Sequence, residues 1–377
     1  MKILVGGDFF VDDKFKDKLL LSEGITEFFQ SFDSTILNQE SPITRCGKRN
    51  KIIKTGPHLK TSESTIIPVL QALNINLVTL ANNHIMDYGS KGLEDTLDSL
   101  INNNISYTGV GKNSKEACKP FSLQKNGMSV GIINFAENEW ASASDFHGGA
   151  SPMDVIENVK QIKTAKENHD KVICIIHGGH EYYNLPSPRM QKQYRFYAEN
   201  GADLIICHHP HCISGYEIYN QVPIYYSLGN FLFTKQSSFD DWYLGLILEI
   251  NICKDGKLNT VLHPVKQSKT DFYLELVKNE EKHAVLERVS NYSQIIRNEK
   301  FLHKHWQIFI EKNSNAFLNL WSPISFITNR YLKAILYKTK IPVLLSSRYG
   351  NALKLNLIRC EAHADLSKEI LAKRTKS

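Results

Sequence analysis

Five short apolar runs in this chain each lead into a side chain able to ligate a cation, and that repetition limits its possible folds more than any other feature. "KILVGG" (2–7) leads into Asp8, and "STILNQ" (34–39) into Glu40. "INLVTLAN" (75–82) leads into Asn83 and His84, "KVICII" (171–176) into His177, and "ADLIIC" (202–207) into His208, His209 and His211. Runs this short and this apolar read as buried strands. Helical spacing fills the intervals, in "TSESTIIPVLQAL" (61–73), "SKGLEDTLDSLINNN" (90–104), a stretch from Met153 to Asn168, and "SPRMQKQYRFYAENG" (187–201). In the second of these, Leu93, Leu97, Leu100 and Ile101 are expected on one face. Asn126-Gly127 and Asp255-Gly256 mark hairpin turns, and the chain becomes strand-rich after Gln221. The expected class is α/β, with two packed sheets flanked by helices.

Ligands of α/β sheets gather at the carboxyl ends of strands. Carboxylate, amide and imidazole together suit Zn, Mn or Fe. Six candidate ligands exceed what one tetrahedral ion needs, whereas two ions about 3.5–4 Å apart and sharing a carboxylate would use them. Taken singly, each residue also has an ordinary role. Asp8 would cap a helix, Glu40 would be a surface carboxylate, Asn82 and Asn83 would make a turn, and His177 would be a hydrogen-bonded core residue. The histidine cluster resists such readings, because three imidazoles beside an apolar strand are costly to desolvate without partners. In an extended segment, His209 and His211 point one way and His208 the other. Pro210 is expected to keep that segment extended, which gives His208 a supporting role.

The blocks "GGDFF", "LNQESPI", "LANNHIMDYG", "IIHGGHEY", "CHHPHCISGYE" and "IYYSLGNFLF" follow the order and spacing of the CapA/PgsA family of capsule and poly-γ-glutamate synthesis proteins. That family is a branch of the calcineurin-like metallophosphatases. The resemblance covers about residues 1–250 and implies a four-layer αββα metallophosphatase sandwich with two divalent metal ions. By this resemblance Asp8 is a ligand, Glu40 bridges the metals, Asn83, His177, His209 and His211 complete the shells, and His84 is catalytic. Asp87 would orient His84 through a hydrogen bond. Asn82, His208, Glu181 and Asn230 would support the ligands or touch substrate. "IIKTGPHLK" (52–60) resembles a family loop, so Lys54 and His58 either contact phosphate or carboxylate groups or belong to a solvated basic loop. Two departures stand out. Phe10 occupies the position of a superfamily ligand histidine, and Gly178 stands where the family has Trp, which makes His180 a candidate substitute ligand or substrate contact.

The resemblance implies hydrolysis of a phosphate ester, on a phosphorylated glycan, a lipid-linked intermediate or a polyanion. The rival expectations are an idle polymer-binding or assembly factor and a nuclease or nucleotide phosphodiesterase. The seven cysteines are scattered and never form C-x-x-C, which fits a reducing compartment. Family members typically start with a membrane anchor, but no signal-peptide core or spanning segment is evident here, so a cytoplasmic location is expected. The expected division is 1–275 for the metallophosphatase domain and 276–377 for a basic, mainly helical C-terminal region. Lys and Arg outnumber Asp and Glu more than twofold in residues 281–377, and no carboxylate occurs from Asn313 to Cys360. Within it, "ISFITNRYLKAILYKTKIP" (324–342) has helical spacing, with Ile324, Ile327, Tyr331 and Ile335 on one face and Pro342 as the stop. Such a helix either lies on an anionic membrane surface or packs within the protein. No nucleic-acid-binding module is recognisable.

Overall fold

Two sheets carry the chain, in a computed structural model that describes residues 1–54, 56–320 and 327–339. The eight-stranded sheet has the spatial order Leu274–Leu276, Leu258–Gln267, Leu244–Ile252, Lys2–Phe10, Ser34–Gln39, Leu77–Thr79 and Ser106–Thr108, with Asn230–Phe233 also pairing with Lys2–Phe10. The six-stranded sheet runs Tyr216–Tyr219, Val222–Tyr225, Leu204–His208, Lys171–His177, Met128–Ala136 and Phe121–Lys125. Lys2–Phe10, Ser34–Gln39 and Leu77–Thr79 are parallel to one another, as are Lys171–His177 and Leu204–His208. Parallel neighbours end on the same side, so the carboxyl ends expected to carry ligands line up within each sheet.

Alternation along the strands divides their apolar residues among three cores. Ile3, Val5, Ile36 and Leu77 meet Ile173, Ile175, Leu204 and Ile206 between the sheets. Leu4, Leu37 and Val78 face outward with Ile25 and Phe29 of helix Glu23–Gln30, Ile66 and Leu70 of Glu63–Ala72, and Leu93 and Leu100 of Gly89–Asn102. On the far side Cys174, Ile176, Ile205 and Cys207 pack with Ile162 of Val155–Asn168 and Tyr194 of Pro188–Glu199. The layers are therefore helix, sheet, sheet, helix, as expected.

Local signals explain most boundaries. Asp154 caps Val155–Asn168 by accepting from the Ile156 and Glu157 N–H groups. Ser187 caps Pro188–Glu199, which starts on Pro188. Asn126 and Gly127 both have positive φ, 52° and 75°, as the tight turn between Phe121–Lys125 and Met128–Ala136 requires. The expected face of one helix needs correction. Ile101 is 58 % exposed, because helix Gly89–Asn102 buries Gly92, Thr96 and Ser99 beside Leu93 and Leu100. Val222–Tyr225 and Asn230–Phe233 belong to different sheets, so the chain crosses between them at Tyr226–Gly229.

The first compact unit spans Met1–Leu302, beyond the expected cut at 275. Helix Asn279–Arg297 belongs to it: Val285 and Val289 enter the inter-sheet core, and Ser293 Oγ accepts from the Tyr216 N–H at 2.9 Å. In the second unit, His303–Ser377, helix Arg330–Lys338 starts later than the expected 324–342. Asn329 Oδ1 caps it, Ile327 precedes it, and Ile324 and Pro342 lie outside the described residues. Among the described residues no helix is long and apolar enough to cross a membrane.

Candidate metal centre

Asp8 lies inside its strand rather than after it, at a register shift where Asn230–Phe233 joins Lys2–Phe10. Gly7 permits this junction, since a Cβ there would stand 1.9 Å from the Gly229 carbonyl oxygen. The Asp8 N–H bonds that same carbonyl at 3.0 Å. Next to Asp8, the Asn38 amide spans Asp8 Oδ1 (2.7 Å) and His177 Nδ1 (3.1 Å). Glu40 follows its strand directly, held by its N–H to the Phe9 carbonyl at 3.0 Å. Its carboxylate is fully buried, and neither oxygen has a hydrogen-bond partner.

The loop after Leu77–Thr79 is tied down at three points. Ala81 N–H donates to Asn134 Oδ1 (2.8 Å), Asn82 Nδ2 donates to the Gln39 carbonyl (2.9 Å), and His84 N–H donates to Asn82 Oδ1 (3.1 Å). Asn82 thus fixes the backbone that presents Asn83 and His84. Asp87 Oδ2 is 2.7 Å from His84 Nδ1 and accepts the Leu59 N–H at 2.7 Å. Lys54 does meet a carboxylate, but an internal one: its buried ammonium pairs with Asp87 and lies 3.1 Å from His84 Nδ1. His58 is spent within its own loop, with Nε2 2.8 Å from the Ile52 carbonyl.

From the second sheet, His177 aims Nε2 at the same place, 3.1 Å from Asn83 Oδ1, 3.0 Å from His209 Nδ1 and 3.8 Å from Glu40 Oε1. His211 Nε2 is 3.5 Å from Glu40 Oε1, and its Nδ1 lies 2.9 Å from Asn230 Oδ1 and 3.5 Å from Asp8 Oδ2. The backbone delivering these rings is not extended. His209 and His211 have φ of 98° and 55°, a conformation costing on the order of 1–3 kcal/mol each for non-glycine residues. His209 N–H to Asp8 Oδ2 (3.0 Å) and Tyr182 N–H to the Pro210 carbonyl (2.9 Å) hold it there. Two kinks around Pro210, not strand alternation, turn both rings into the centre.

His208 stays in the strand, on the inter-sheet face it shares with Leu204 and Ile206. It is 1 % exposed, with neither ring nitrogen hydrogen-bonded. Burial alone holds its pKa down at about 3. Between that value and the ordinary 6.5, the unfolded chain takes up a proton that the folded chain refuses. Stability is therefore complete above 6.5 and is lost as pH falls toward 3, by at most about 1.4 kcal/mol per unit. His208→Leu is expected to lose less melting temperature than the parent between pH 7 and 5. Equal losses in a calorimetric comparison would refute this account.

Gly178 replaces a family Trp where Glu137 fills the space: a Cβ there would lie 2.8 Å from Glu137 Cγ. Glu137 accepts from the Gly179 N–H (3.1 Å) and from Arg189 (2.9 Å). His180 is half-buried beside Glu137, Arg189 and His209, and its pKa is lowered chiefly by burial. Glu181 is exposed, with its charge near Glu40. Asn38 and Glu139 escaped the sequence reading. Glu139 Oε1 lies 3.4 Å from Asn83 Nδ2 and 3.9 Å from His209 Nε2. Asn38 carried a faint signal, two residues before Glu40 in the same strand; Glu139 carried none.

Two donor sets result, Glu40–His177–His209 and Asp8–Glu40–His211, with the donor atoms of each within 4.8 Å of one another. Burial raises the Asp8 pKa to about 6. It also raises that of Glu40, reinforced by the Asp8 charge. Burial and neighbouring imidazoles lower the pKa of His177, and that of His211 to about 3, so both rings keep lone pairs at neutral pH. Adjacent buried carboxylates, one of them (Glu40) with both oxygens unpartnered, and neutral imidazoles fit a divalent cation, which supplies the missing charge.

A pair of donor sets sharing one buried carboxylate, at the strand ends of an αββα sandwich, has the donors that metal binding requires. The chain belongs to the bacterial capsule synthesis family PGA_cap, whose model matches residues 2–235. It is 31% identical over 301 residues to the capsule biosynthesis protein CapA of Bacillus anthracis, covering 74% of this chain and 71% of that one. It is 34% identical over 214 residues to the PGA biosynthesis protein CapA of Bacillus subtilis, a match spanning 56% of each chain. A solved phosphatase from Mycoplasma pneumoniae aligns at 12% identity and a TM-score of 0.45, over 72% of this chain and 95% of that one.

Proposed function

We propose that this chain is a metal-dependent phosphohydrolase of capsule or poly-γ-glutamate synthesis, cleaving a phosphate ester at a centre of two divalent cations, Mn, Zn or Fe. The observation that carries this is Glu40, a fully buried carboxylate with both oxygens unpartnered, common to both donor sets. Asp8, Glu40 and His211 would hold one cation, and Glu40, Asn83, His177 and His209 the other. Bound there, the cations would polarise a phosphoryl oxygen and lower the pKa of a water. His84, fixed through Nδ1 by Asp87, has Nε2 free on the far side of its ring to hand a proton to the leaving oxygen. The process is carried over from the names of the two CapA relatives. The substrate is a phosphorylated glycan, a lipid-linked intermediate or a polyanion, for which the basic residues 281–377 are suited, as they are to peripheral contact with an anionic membrane.

One observation favours a second reading, a non-catalytic polymer-binding or assembly factor. Phe10 is buried against Phe233, ring centroids 5.2 Å apart, where the superfamily has a ligand histidine, so the Asp8 set has three protein ligands. Metal analysis of protein purified without chelator, with turnover of a phosphomonoester and a phosphodiester in added Mn²⁺, separates the two. Bound metal with turnover that His209→Ala abolishes is the expected result. Bound metal without turnover selects the assembly factor, and absence of both rejects the metal centre.

A further inference from the structure

We propose that Glu139 positions the centre, holding Asn83 and His209 in their ligating poses by accepting the Asn83 N–H and setting the same carboxylate oxygen against His209 Nε2. This rests on the metal-centre reading above.

The two ligands are ambiguous molecules. A neutral imidazole offers a lone pair on one nitrogen and a proton on the other, and a primary amide offers an oxygen on one side and N–H groups on the other. A cation needs the lone pair of the first and the oxygen of the second, so each must be prevented from turning round. His209 Nδ1 faces the donor set, 3.0 Å from His177 Nε2, which leaves the proton on Nε2. That nitrogen is 3.9 Å from Glu139 Oε1. Asn83 Oδ1 faces the set, 3.1 Å from His177 Nε2, and its Nδ2 lies 3.4 Å from the same Glu139 oxygen. Reversal of either group would set a donor against the cation and an acceptor against a carboxylate. An outer carboxylate is the usual means of fixing a ligand's orientation.

The loop bearing Glu139 is anchored to His177. Glu137 N–H donates to the His177 carbonyl (2.9 Å), Glu139 N–H donates to the Glu137 carbonyl (3.0 Å), and the Glu137 side chain accepts the Gly179 N–H (3.1 Å). The Glu139 side chain is 40% exposed, so its torsions can shorten both contacts without disturbing the core.

Titration with Mn²⁺ alone, followed by calorimetry and Mn²⁺ resonance, tests the assignment. Glu139→Ala is expected to weaken one of two binding steps by roughly 10–100-fold and to leave the other within about threefold. Glu139→Gln, which keeps an acceptor oxygen and loses the charge, should recover most of that loss. Parent-like affinity in Glu139→Ala, or equal losses in Glu139→Ala and Glu139→Gln, overturns the positioning role. A parent protein that takes up no Mn²⁺ overturns the metal centre itself, and this role with it. Melting temperatures of the metal-free proteins should coincide, as expected for an exposed side chain.

Discussion

A Glu40→Gln protein is expected to emerge from purification with neither cation, and yet to melt at a higher temperature than the metal-free parent. Both effects have one cause. Glu40 is common to the two donor sets, so neutralising it removes a charged ligand from each at once. The same carboxylate has no hydrogen-bond partner, and its pKa is raised well above the ordinary 4.5 by burial and by the Asp8 charge. Between those values the folded chain keeps a proton that the unfolded chain has released. Stability is therefore undiminished below 4.5 and falls as pH rises through the raised value, by up to about 1.4 kcal/mol per unit. Glutamine has the shape and not the charge, so its advantage should be small near pH 4.5 and grow toward neutrality. Metal analysis and calorimetry in chelator across that range would decide. A full complement of one cation, or a lower melting temperature at every pH, would sink the account.

The other large effect is expected at His84. His84→Ala should lower turnover by roughly 10²–10⁴-fold while both cations remain, because His84 adjoins Asn83 in the chain and belongs to neither donor set. The size of the loss should depend on the leaving group. A nitrophenol departs readily as an anion and gains little from a proton, whereas an alkoxide gains much. The deficit should therefore be larger for an alkyl phosphate than for an aryl phosphate. Asp87→Asn should fall between, since it weakens the hold on Nδ1 and leaves the Lys54 ammonium without its anion. Equal deficits on both esters would show that His84 holds substrate and does not move a proton.

Much of the candidate site was legible because each candidate ligand follows a short apolar run, and the parallel strands of the two packed sheets bring the ends of such runs together. Asp8, Glu40, Asn83, His177, His209 and His211 meet for that reason. Asn38 was hidden because its neighbours make it look like any strand residue, and Glu139 because it sits in a loop beyond a strand with no ligand at its end. The kinked histidine pair ran against local preference. A residue before proline favours extended backbone, but His209 takes a positive φ because its N–H is drawn to Asp8 and the Pro210 carbonyl to Tyr182. The extent of the first unit was missed for a similar reason: helix Asn279–Arg297 is polar along most of its length, and only a narrow stripe of Val285, Val289 and Ile296 commits it to the sandwich.

The bond from the His209 N–H to Asp8 joins residues 201 positions apart. On a ribosome, Asp8 is therefore exposed long before the segment that satisfies it exists. Its strand is central in the sheet and must wait for Leu244–Ile252 to pair with its first half and Asn230–Phe233 with its second. Neither donor set can be assembled on a shorter nascent chain, since each draws a histidine from the 209–211 segment. Uptake of a cation by either set would therefore report that the sandwich has closed.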